Sequence, residues 1–442
     1  MKTQTMTNKT EYAPIILDCG GGDDMNRGNQ AIRVATNLIL KKYIPDMPHM
    51  YCSVFRRSND VFTGRCADPL AVGPHVYEAV KGRHLWPWGF NCVVSEAWRF
   101  YPARRSYKYI QNAAALLSIG GDILVTDYGR VALRLLAGSF HKAVTCGTPN
   151  ILWGTSVGPF PPNTKIEREM KKLLKSIDLI LAREPYAIRY LKSLGVTENV
   201  HKVTDPAFVL SPDPVHVEGD STAPNAPGTP RLPKRIDDAL RAGAIGVNLS
   251  PFCQQVSKYS PASWFAASRE ILIHLRRNLK EPIILIPHTF TWELPQCNDF
   301  KFQSRIYHSL PEDLKKDVLF LDTSLFTYTE IRWVISRLLI NVAARTHAAI
   351  SGYSTFVPTF AISYSMKSRG INEDIFGPDN EKWLAHFSNL TDGQLTSRVK
   401  DLLREREQVR DHLEKVIPGF HATSMKAGEY LADLLRRKGK IS

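Results

Sequence analysis

The stretch of residues 341–375, NVAARTHAAISGYSTFVPTFAISYSMKSRGINEDI, decides the fold and carries the most informative side chains of this 442-residue chain. The apolar segment 334–344 is followed at once by a cation and an imidazole, Arg345 and His347. A run of small residues then leads to a second apolar segment, 357–362, which predicts a strand. Two neighbouring strands of an α/β sheet bring their carboxyl ends to one rim, which is where ligands bind.

Four side chains at this rim suit an anionic ligand. Tyr364 and Lys367 follow the second strand directly, so the two strand ends deliver them to the same place as Arg345 and His347. Fixed cations bind carboxylate or phosphate groups, and histidine titrates near neutral pH. The set therefore indicates either a site for an anionic substrate that needs a proton, or a helix start that happens to carry an Arg and a His.

The residues before this stretch alternate between short apolar strands and amphipathic helices. Residues 15–17 predict a strand, residues 18–29 form a glycine-rich turn, and residues 30–43 predict a helix. The alternation resumes at residue 114 and, after a segment rich in proline and glycine, at residue 244. Repeated strand–turn–helix units predict parallel sheets covered by helices on both faces.

The pattern predicts an α/β protein of two Rossmann-like, doubly wound domains that face a cleft, of the kind glycosyltransferases use. Changes in composition divide the chain into an N-terminal domain at 1–210, a linker or insertion at 211–240, a second domain at 241–390 and helices at 391–442. Pro418 predicts an interruption of these last helices. Fold alone does not fix the chemistry.

Composition indicates a folded globular protein with many basic residues. The chain is 43% hydrophobic and 23% charged, with a formal net charge of +14. The basic residues are dispersed, which favours solvated faces, with peripheral attraction to an anionic membrane as the main alternative. No nucleic-acid-binding signature accompanies them, so no nucleic-acid partner is predicted. The aromatic region 51–109 either stacks on sugar rings or packs a helical subdomain.

Targeting and metal-binding signals are not found in the sequence. No apolar run reaches the roughly 18 to 20 residues of a membrane span, and the start, MKTQTMTNKTEYAP, lacks the apolar region of a signal peptide. The seven cysteines form no CxxC pair, which predicts reduced thiols and a cytoplasmic location. No HExxH, DxD or clustered His/Asp set demands a metal.

Two further turns carry glycines and carboxylates. The turn at 18–29, DCGGGDDMNRGN, precedes a helix whose first N–H groups can cradle an anion, although glycines that serve only a tight turn are an equal alternative. Gly120, Gly121 and Asp122 follow a predicted strand, with Asp127 close behind. These carboxylates either act on a substrate or cap a helix.

Several strand ends together resemble the polysaccharide pyruvyl transferase family over residues 15–377. The matching pieces are short turns after predicted strands: NRGNQAI at 26–32, IGGD at 119–122 with Asp127, GTSVGP at 154–159, ARE at 182–184, TDPA at 204–207, and RTHA at 345–348 followed by VP at 357–358 and YSMK at 364–367. The last set is similar to the family's RxHA…P…Y..K signature. The chain departs from the family at Asn29, where an aspartate is usual. The number, order and spacing of the matches make the resemblance specific.

The resemblance implies a fold and a reaction. The fold is two Rossmann-like domains that face each other, as in GT-B glycosyltransferases. The donor is phosphoenolpyruvate, and the acceptor is a saccharide that is often lipid-linked or polymeric; no cofactor is implied. The product is a pyruvate ketal that bridges two hydroxyls of one sugar, and phosphate is released. The resemblance further implies a role in cell-surface polysaccharide synthesis, in the cytoplasm or at the inner face of the membrane.

The resemblance also assigns roles to residues. Arg345 and His347 match the Arg and His that contact phosphoenolpyruvate, and the histidine is the family's favoured catalytic acid. Arg183 is the best match for a donor-binding arginine of the first domain, and Lys367 and Tyr364 complete the donor side. Phosphoenolpyruvate carries a carboxylate and a phosphate, which arginines bind well, and its enol carbon must gain a proton.

A carboxylate is expected to deprotonate the acceptor hydroxyl. Asp122 and Asp127 are the first candidates and Asp205 is a third, although each could equally cap a helix or brace a loop. The positions assigned to the acceptor or to loops around it are Asn26, Asn29, Gly120, Gly121 and His288. A structural role is at least as good an explanation for His288.

Two other functions compete with pyruvyl transfer. A GT-B glycosyltransferase that uses a nucleotide-sugar would have the same cleft, with a basic site for the diphosphate. A non-catalytic family member that binds anionic glycans is the second alternative, and the departure at Asn29 and the small Thr346 leave room for it.

Overall fold

The structure is a computed structural model that covers both predicted domains and the C-terminal helices. The residues it describes are 12–19, 26–52, 110–126, 129–220, 229–256, 259–290, 297–364, 366–378, 381–390 and 392–442. The glycine-rich turn at 20–25, nearly all of the aromatic region, Asp127 and the segment 221–228 lie outside the described residues.

The N-terminal domain is built on a parallel sheet. Its seven described strands are β1 (Ile15–Cys19), β2 (His49–Cys52), β3 (Ala115–Ile119), β4 (Asp122–Leu124), β5 (Asn150–Val157), β6 (Leu179–Ala182) and β7 (Val200–Lys202). Six of them follow the spatial order β2-β1-β3-β5-β6-β7, and the short β4 pairs with β5. Strands β3, β5 and β6 are buried along their whole length, as expected for strands covered on both faces.

Four described helices cover this sheet. They are α1 (Arg27–Tyr43), α2 (Gly129–Cys146), α3 (Lys165–Ser176) and α4 (Pro185–Ser193). Helix α1 begins at an N-cap, because the side chain of Asn26 accepts a hydrogen bond from the Gly28 amide at 2.9 Å. Its apolar residues Ile32 and Ile39 belong to the same core as Leu17 of β1. Helices α2 to α4 enclose a second core on strands β5 and β6.

The second domain is also a parallel sheet with helices. Its strands are β8 (Ile245–Asn248), β9 (Ile283–Leu285), β10 (Val318–Phe320), β11 (Ile340–Ala343), β12 (Thr359–Ser363) and β13 (Leu384–His386), in the spatial order β10-β9-β8-β11-β12-β13. Its helices are α5 (Lys234–Arg241), α6 (Pro261–Asn278), α7 (Asp299–Ser309), α8 (Tyr328–Ser336), α9 (Thr346–Ser354) and α10 (Met366–Phe376). This strand order is that of a Rossmann fold.

The two C-terminal helices connect the domains. They are α11 (Asp392–Arg404) and α12 (Arg406–Arg437). Helix α12 returns to the N-terminal domain, where the ring of Tyr430 stacks on that of His201 at a centroid distance of 4.3 Å. The Lys438 ammonium, just past the helix, lies 2.7 Å from the Asp178 carboxylate. The long helix therefore fixes one domain relative to the other.

The predicted architecture of two Rossmann-like, doubly wound domains with C-terminal helices is confirmed, and two details differ. The helical region breaks at Glu405, and α12 continues through Pro418, where an interruption was predicted. Packing of α12 on the N-terminal domain outweighs the missing hydrogen bond at the proline. The segment 211–240 is not a linker throughout, because its end forms α5, whose Ile236 and Leu240 are buried in a core of the second domain.

Among the helices that the structure describes, none combines the length and the apolar character that crossing a lipid bilayer requires.

Two glycines of α12 provide a test of how this helix docks. An added Cβ at Gly428 would lie 2.2 Å from Cδ2 of Tyr43 and 2.8 Å from Cγ2 of Ile39, whereas no described atom lies within 4 Å of one at Gly419. We expect Gly428→Ala to lower the free energy of unfolding by about 1–3 kcal/mol through overpacking. Gly419→Ala should raise it by about 0.5–1 kcal/mol, because alanine loses less entropy in a helix. Urea denaturation of both variants measures the difference, and equal effects would contradict the docking of α12 on α1.

Candidate active site

The strand order reverses at one point in each sheet, and these points locate the candidate site. In the second domain the reversal lies between β8 and β11, whose carboxyl ends carry Asn248 and Arg345. In the N-terminal domain it lies between β1 and β3, and the turn at Gly120 and Gly121 follows β3. Ligands of doubly wound sheets bind at such positions.

Arg345 is fixed at the end of β11 by hydrogen bonds to its backbone and side chain. Its amide donates to Oδ1 of Asn248 at 2.9 Å, and it is the residue that precedes α9. The guanidinium donates to Asp299 through Nε at 3.0 Å and through Nη2 at 2.7 Å, and Nη2 also donates to the Cys297 carbonyl at 2.7 Å. Such a fork holds the arginine in a single orientation.

Asp299 is the partner of Arg345 that sequence reasoning missed. Its side chain is fully buried, whereas that of Arg345 is 14% exposed. Burial alone would lower the pKa of Arg345, but the Asp299 carboxylate more than offsets this and raises it. Asp299 is the first residue of α7 and lies far from Arg345 in the chain, so no local spacing could have indicated the pair.

Tyr364 lies close to Arg345, as the sequence predicts. The two side chains flank Phe252: the guanidinium carbon is 5.7 Å from the centroid of the Phe252 ring, and the Tyr364 ring is 5.2 Å from it. Strands β11 and β12 are parallel neighbours, which places both strand ends at one rim. Lys367 is the second residue of α10, and its side chain lies outside the described part of the chain.

His347 belongs to the second domain, but its ring faces the first. It is the second residue of α9, and its backbone carbonyl accepts hydrogen bonds from Ser351 Oγ at 2.9 Å and from Tyr328 Oη at 3.3 Å. Nε2 lies 3.5 Å from Oδ2 of Asp205. On the other side of the ring, a Cβ added to Gly28 would lie 2.3 Å from Nδ1. Glycine at position 28 therefore permits this approach of α1 to the histidine.

Arg183 lies beneath the cleft, among three carboxylates. Its side chain is only 1% exposed. Nη1 donates to Asp205 at 2.5 Å, Nη2 donates to Asp122 at 3.2 Å, and Nε lies 3.4 Å from Glu184. Nε also donates to Ser156 Oγ at 3.0 Å. Burial alone would lower the pKa of Arg183, but the three acids raise it, so this cation stays charged.

Asp205 is a buried anion that joins Arg183 to His347. Burial alone would raise the pKa of Asp205, but His347, Arg183 and the Ala207 amide together hold it well below its usual range. Oδ1 of Asp205 accepts from the Ala207 amide at 2.9 Å, and the Asp205 carbonyl accepts from Ser424 Oγ of α12 at 2.9 Å. Helix α12 thus braces the loop that carries this carboxylate.

Asn26 and His288 lie at the contact between the two domains. Asn26 caps α1 and also forms an isolated antiparallel bridge with Thr289. His288 is buried, and its carbonyl accepts from the Arg27 amide at 3.0 Å. Burial lowers the pKa of His288 to about 3, so the ring is neutral at pH 7. These features favour a structural role for His288.

The remaining predicted residues lie around Arg183 and α1. Asn29 is half-buried in the first turn of α1. A Cβ on Gly121 would lie 2.9 Å from Nη1 of Arg183, so glycine is needed for the turn to pass over the guanidinium. Gly120 has a φ of +157° and packs beside Ile123.

Arg345, His347 and Tyr364 lie at the strand ends of the second domain, and the first domain places Asp205, bound to Arg183, 3.5 Å from His347. Among the described residues, no group of three or more His, Cys, Asp or Glu side chains is arranged to hold a metal ion.

The arrangement of these turns has a counterpart among known protein families. A sequence model described as polysaccharide pyruvyl transferase matches residues 26–366, which include the start of α1 and the strand ends that carry Arg183, Asp205, Arg345 and His347. The chain belongs to the polysaccharide pyruvyl transferase family. It is thus a transferase by family, and the family name implies a saccharide substrate. No curated protein sequence matches the chain at a significant level.

Solved structures share the fold of this family member at low sequence identity. The S. aureus MnaA–UDP co-structure has a TM-score of 0.54 and 11% identity, covering 97% of this chain and 98% of that one. A ugt transferase from Siraitia grosvenorii in complex with UDP has a TM-score of 0.54 and 10% identity, covering 96% and 100%. A UDP-forming α,α-trehalose-phosphate synthase from Burkholderia vietnamiensis has a TM-score of 0.50 and 12% identity, covering 96% and 99%. These similarities show the fold alone, and they confirm the predicted GT-B-like arrangement.

Gly28→Ala tests whether α1 and His347 meet in solution. The added methyl group would overlap Nδ1 of His347, so the ring must move. We expect a cost of about 1–3 kcal/mol in stability and a changed ¹⁵N signal of the His347 ring, assigned by its loss in His347→Asn. Gly393→Ala is the control, because no described atom lies within 4 Å of a Cβ at that position. A His347 signal that is identical in Gly28→Ala and wild type would contradict the closed arrangement of the two domains.

Proposed function

We propose that this family member transfers the enolpyruvyl unit of phosphoenolpyruvate to two hydroxyls of one sugar, forming a pyruvate ketal and releasing phosphate. The observation that carries the proposal is the position of Arg345 and His347 at the start of α9, at the switch point of one domain, with His347 against the start of α1 of the other. We place the donor in the cleft beside these two helix starts.

Several features support binding of a carboxylate and a phosphate in this cleft. The starts of α1 and α9 place the positive ends of two helix dipoles beside it. Arg345 is already oriented by Asp299, so little side-chain entropy is lost when an anion binds to it. We assign Arg345 to direct contact with phosphoenolpyruvate, with Tyr364 beside it and Lys367 as a further cation from α10.

Arg183 is less accessible than the sequence suggested for a donor ligand. Its guanidinium is buried and already bound to Asp122 and Asp205. We therefore propose that its first task is to hold these carboxylates in place and that any contact with the donor requires Asp122 to move away from it.

The proton transfers follow from the same positions. We propose that protonated His347 gives its proton to the methylene carbon of phosphoenolpyruvate, which leaves a cationic carbon for an acceptor hydroxyl to attack. Asp122, whose side chain is 20% exposed, accepts the proton of that hydroxyl. Attack by the second hydroxyl of the same sugar breaks the bond to phosphate and closes the ketal, and the proton of that hydroxyl leaves with the phosphate. Asp127 remains the alternative base from the sequence.

The family supports a proposal for the acceptor class and for the place of the reaction. We propose a lipid-linked or polymeric saccharide as acceptor, in cell-surface polysaccharide synthesis, and a cytoplasmic site of action that includes the inner face of the membrane when the acceptor is anchored there. The formal net charge of +14 supports attraction to an anionic surface of that kind.

Calorimetric binding of phosphoenolpyruvate tests the donor site without an acceptor. We expect Arg345→Ala to weaken binding roughly 10- to 100-fold, because a hydrogen bond to a charged group contributes about 1.5–3 kcal/mol. Arg276→Ala is the matched control: it also removes an arginine paired with an aspartate, Asp317, but next to the amino end of β9 and β10. Its affinity should equal that of wild type.

Two outcomes would contradict this assignment. Folded wild type that binds a nucleotide-sugar but not phosphoenolpyruvate would identify the protein as a glycosyltransferase of the same shape. Binding of anionic glycans with no phosphate release from phosphoenolpyruvate, for any saccharide supplied, would identify a non-catalytic family member.

A further inference from the structure

Both ring nitrogens of His347 face the domain to which the residue does not belong. Nε2 is buried and lies 3.5 Å from Oδ2 of Asp205, and Nδ1 lies against Gly28 at the start of α1. The ring is thus held between a fixed carboxylate and the helix start at which we place the donor. A histidine ring with one nitrogen on a carboxylate has a defined tautomer, and the other nitrogen is left for the substrate.

Asp205 has the properties of a fixed partner. Its side chain is 1% exposed, and Oδ2, the oxygen nearest His347, already accepts a hydrogen bond from Arg183. Its other oxygen, Oδ1, accepts from the Ala207 amide. The loop itself is tied to α12 by Ser424, whose hydroxyl donates to the Asp205 carbonyl and lies 2.7 Å from Oγ1 of Thr204. A carboxylate held in this way cannot easily follow the ring if His347 moves.

We propose that Asp205 is the positioning residue of His347: it holds the hydrogen on Nε2, and Nδ1, which faces α1, is the nitrogen that delivers the proton to the donor. This inference rests on the proposed function for the identity of the reaction, but not for the orientation of the ring. Asp205 then acts through His347 and does not touch the substrate, which separates it from Asp122 as a candidate base.

Every proton in this transfer step has a defined source and destination. The ring enters the step with hydrogens on both nitrogens, and the positive charge is stabilised by the ionised Asp205 carboxylate. The N–H bond at Nδ1 breaks, its proton forms a new C–H bond at the methylene carbon of phosphoenolpyruvate, and its electron pair stays on the ring. The neutral ring that remains keeps its hydrogen on Nε2, beside Asp205. A proton from solvent restores the starting state.

The arrangement also gives Arg183 a task that its burial explains. A carboxylate as buried as Asp205 is costly unless a cation compensates it. Arg183 supplies that charge at 2.5 Å, and its further bonds to Asp122 and Ser156 hold it there. His347 therefore has its charged partner only when α9 of one domain contacts Asp205 and Arg183 of the other.

The first measurement is the tautomer of His347 in wild type, read from the ¹⁵N and ¹³C shifts of labelled histidine at pH 8.5. We expect the hydrogen on Nε2. A hydrogen on Nδ1 would overturn the proposal by itself, without any variant. In Asp205→Asn the amide can donate as well as accept, so we expect the single tautomer to be lost. The control, Glu184→Gln, removes another carboxylate next to Arg183 and should leave the tautomer unchanged.

Kinetics on the full chain separates positioning from binding. We expect Asp205→Asn to lower kcat about 10- to 100-fold with KM for phosphoenolpyruvate within about 3-fold of wild type, because loss of a positioning contact affects proton transfer more than donor binding. An unchanged kcat in Asp205→Asn would overturn the proposal.

Failure of this inference and failure of the proposed function give different results. If wild type neither binds nor turns over phosphoenolpyruvate, the reaction is wrong, while the tautomer experiment still decides whether Asp205 positions His347. If wild type is active and Asp205→Asn retains both the tautomer and kcat, only the positioning role is wrong.

Discussion

A single carboxylate oxygen, Oδ2 of Asp205, accepts a hydrogen bond from Arg183 and lies 3.5 Å from His347 of the opposite domain. This contact constrains the rest of the site because a buried charge must be compensated where it lies. Arg183 is itself buried, so its carboxylates, the glycine turn at Gly121 that passes over it and the loop tied to α12 must all keep their positions. Two contacts then orient the ring of His347: Nε2 lies 3.5 Å from the Asp205 carboxylate, and Nδ1 lies against Gly28 of α1.

Further contacts between the domains keep this arrangement closed. The guanidinium of Arg27 donates to the carbonyls of Thr323 and Ser324 and lies 4.6 Å from the ring centroid of Phe290. On the far side, Arg189 of α4 forms a double hydrogen bond with Glu373 of α10. One end of α10 carries Lys367, which we assign to the donor side, and the other end contacts the N-terminal domain.

The sequence predicted the fold and the strand ends well, and it failed where partners lie far apart in the chain. Hydrophobic alternation and the glycine turns are local signals, so the parallel sheets and the rim that carries Arg345, His347 and Tyr364 could be inferred. The pairing of Arg345 with Asp299 depends on how α7 packs, and no spacing indicates it. The burial of Arg183 was missed for the same reason, since an arginine after a strand is the same in sequence whether it faces a ligand or three acids. Helix α12 continues through Pro418 because tertiary packing outweighs a local preference.

A crystal structure of the protein with phosphoenolpyruvate tests the central claim most directly, because it locates the donor relative to Nδ1 of His347. The account predicts the donor beside the starts of α1 and α9, with its carboxylate or phosphate on Arg345 and its methylene carbon about 3–3.5 Å from Nδ1. Donor bound elsewhere, or bound in this cleft with its methylene carbon turned away from the ring, would contradict the account.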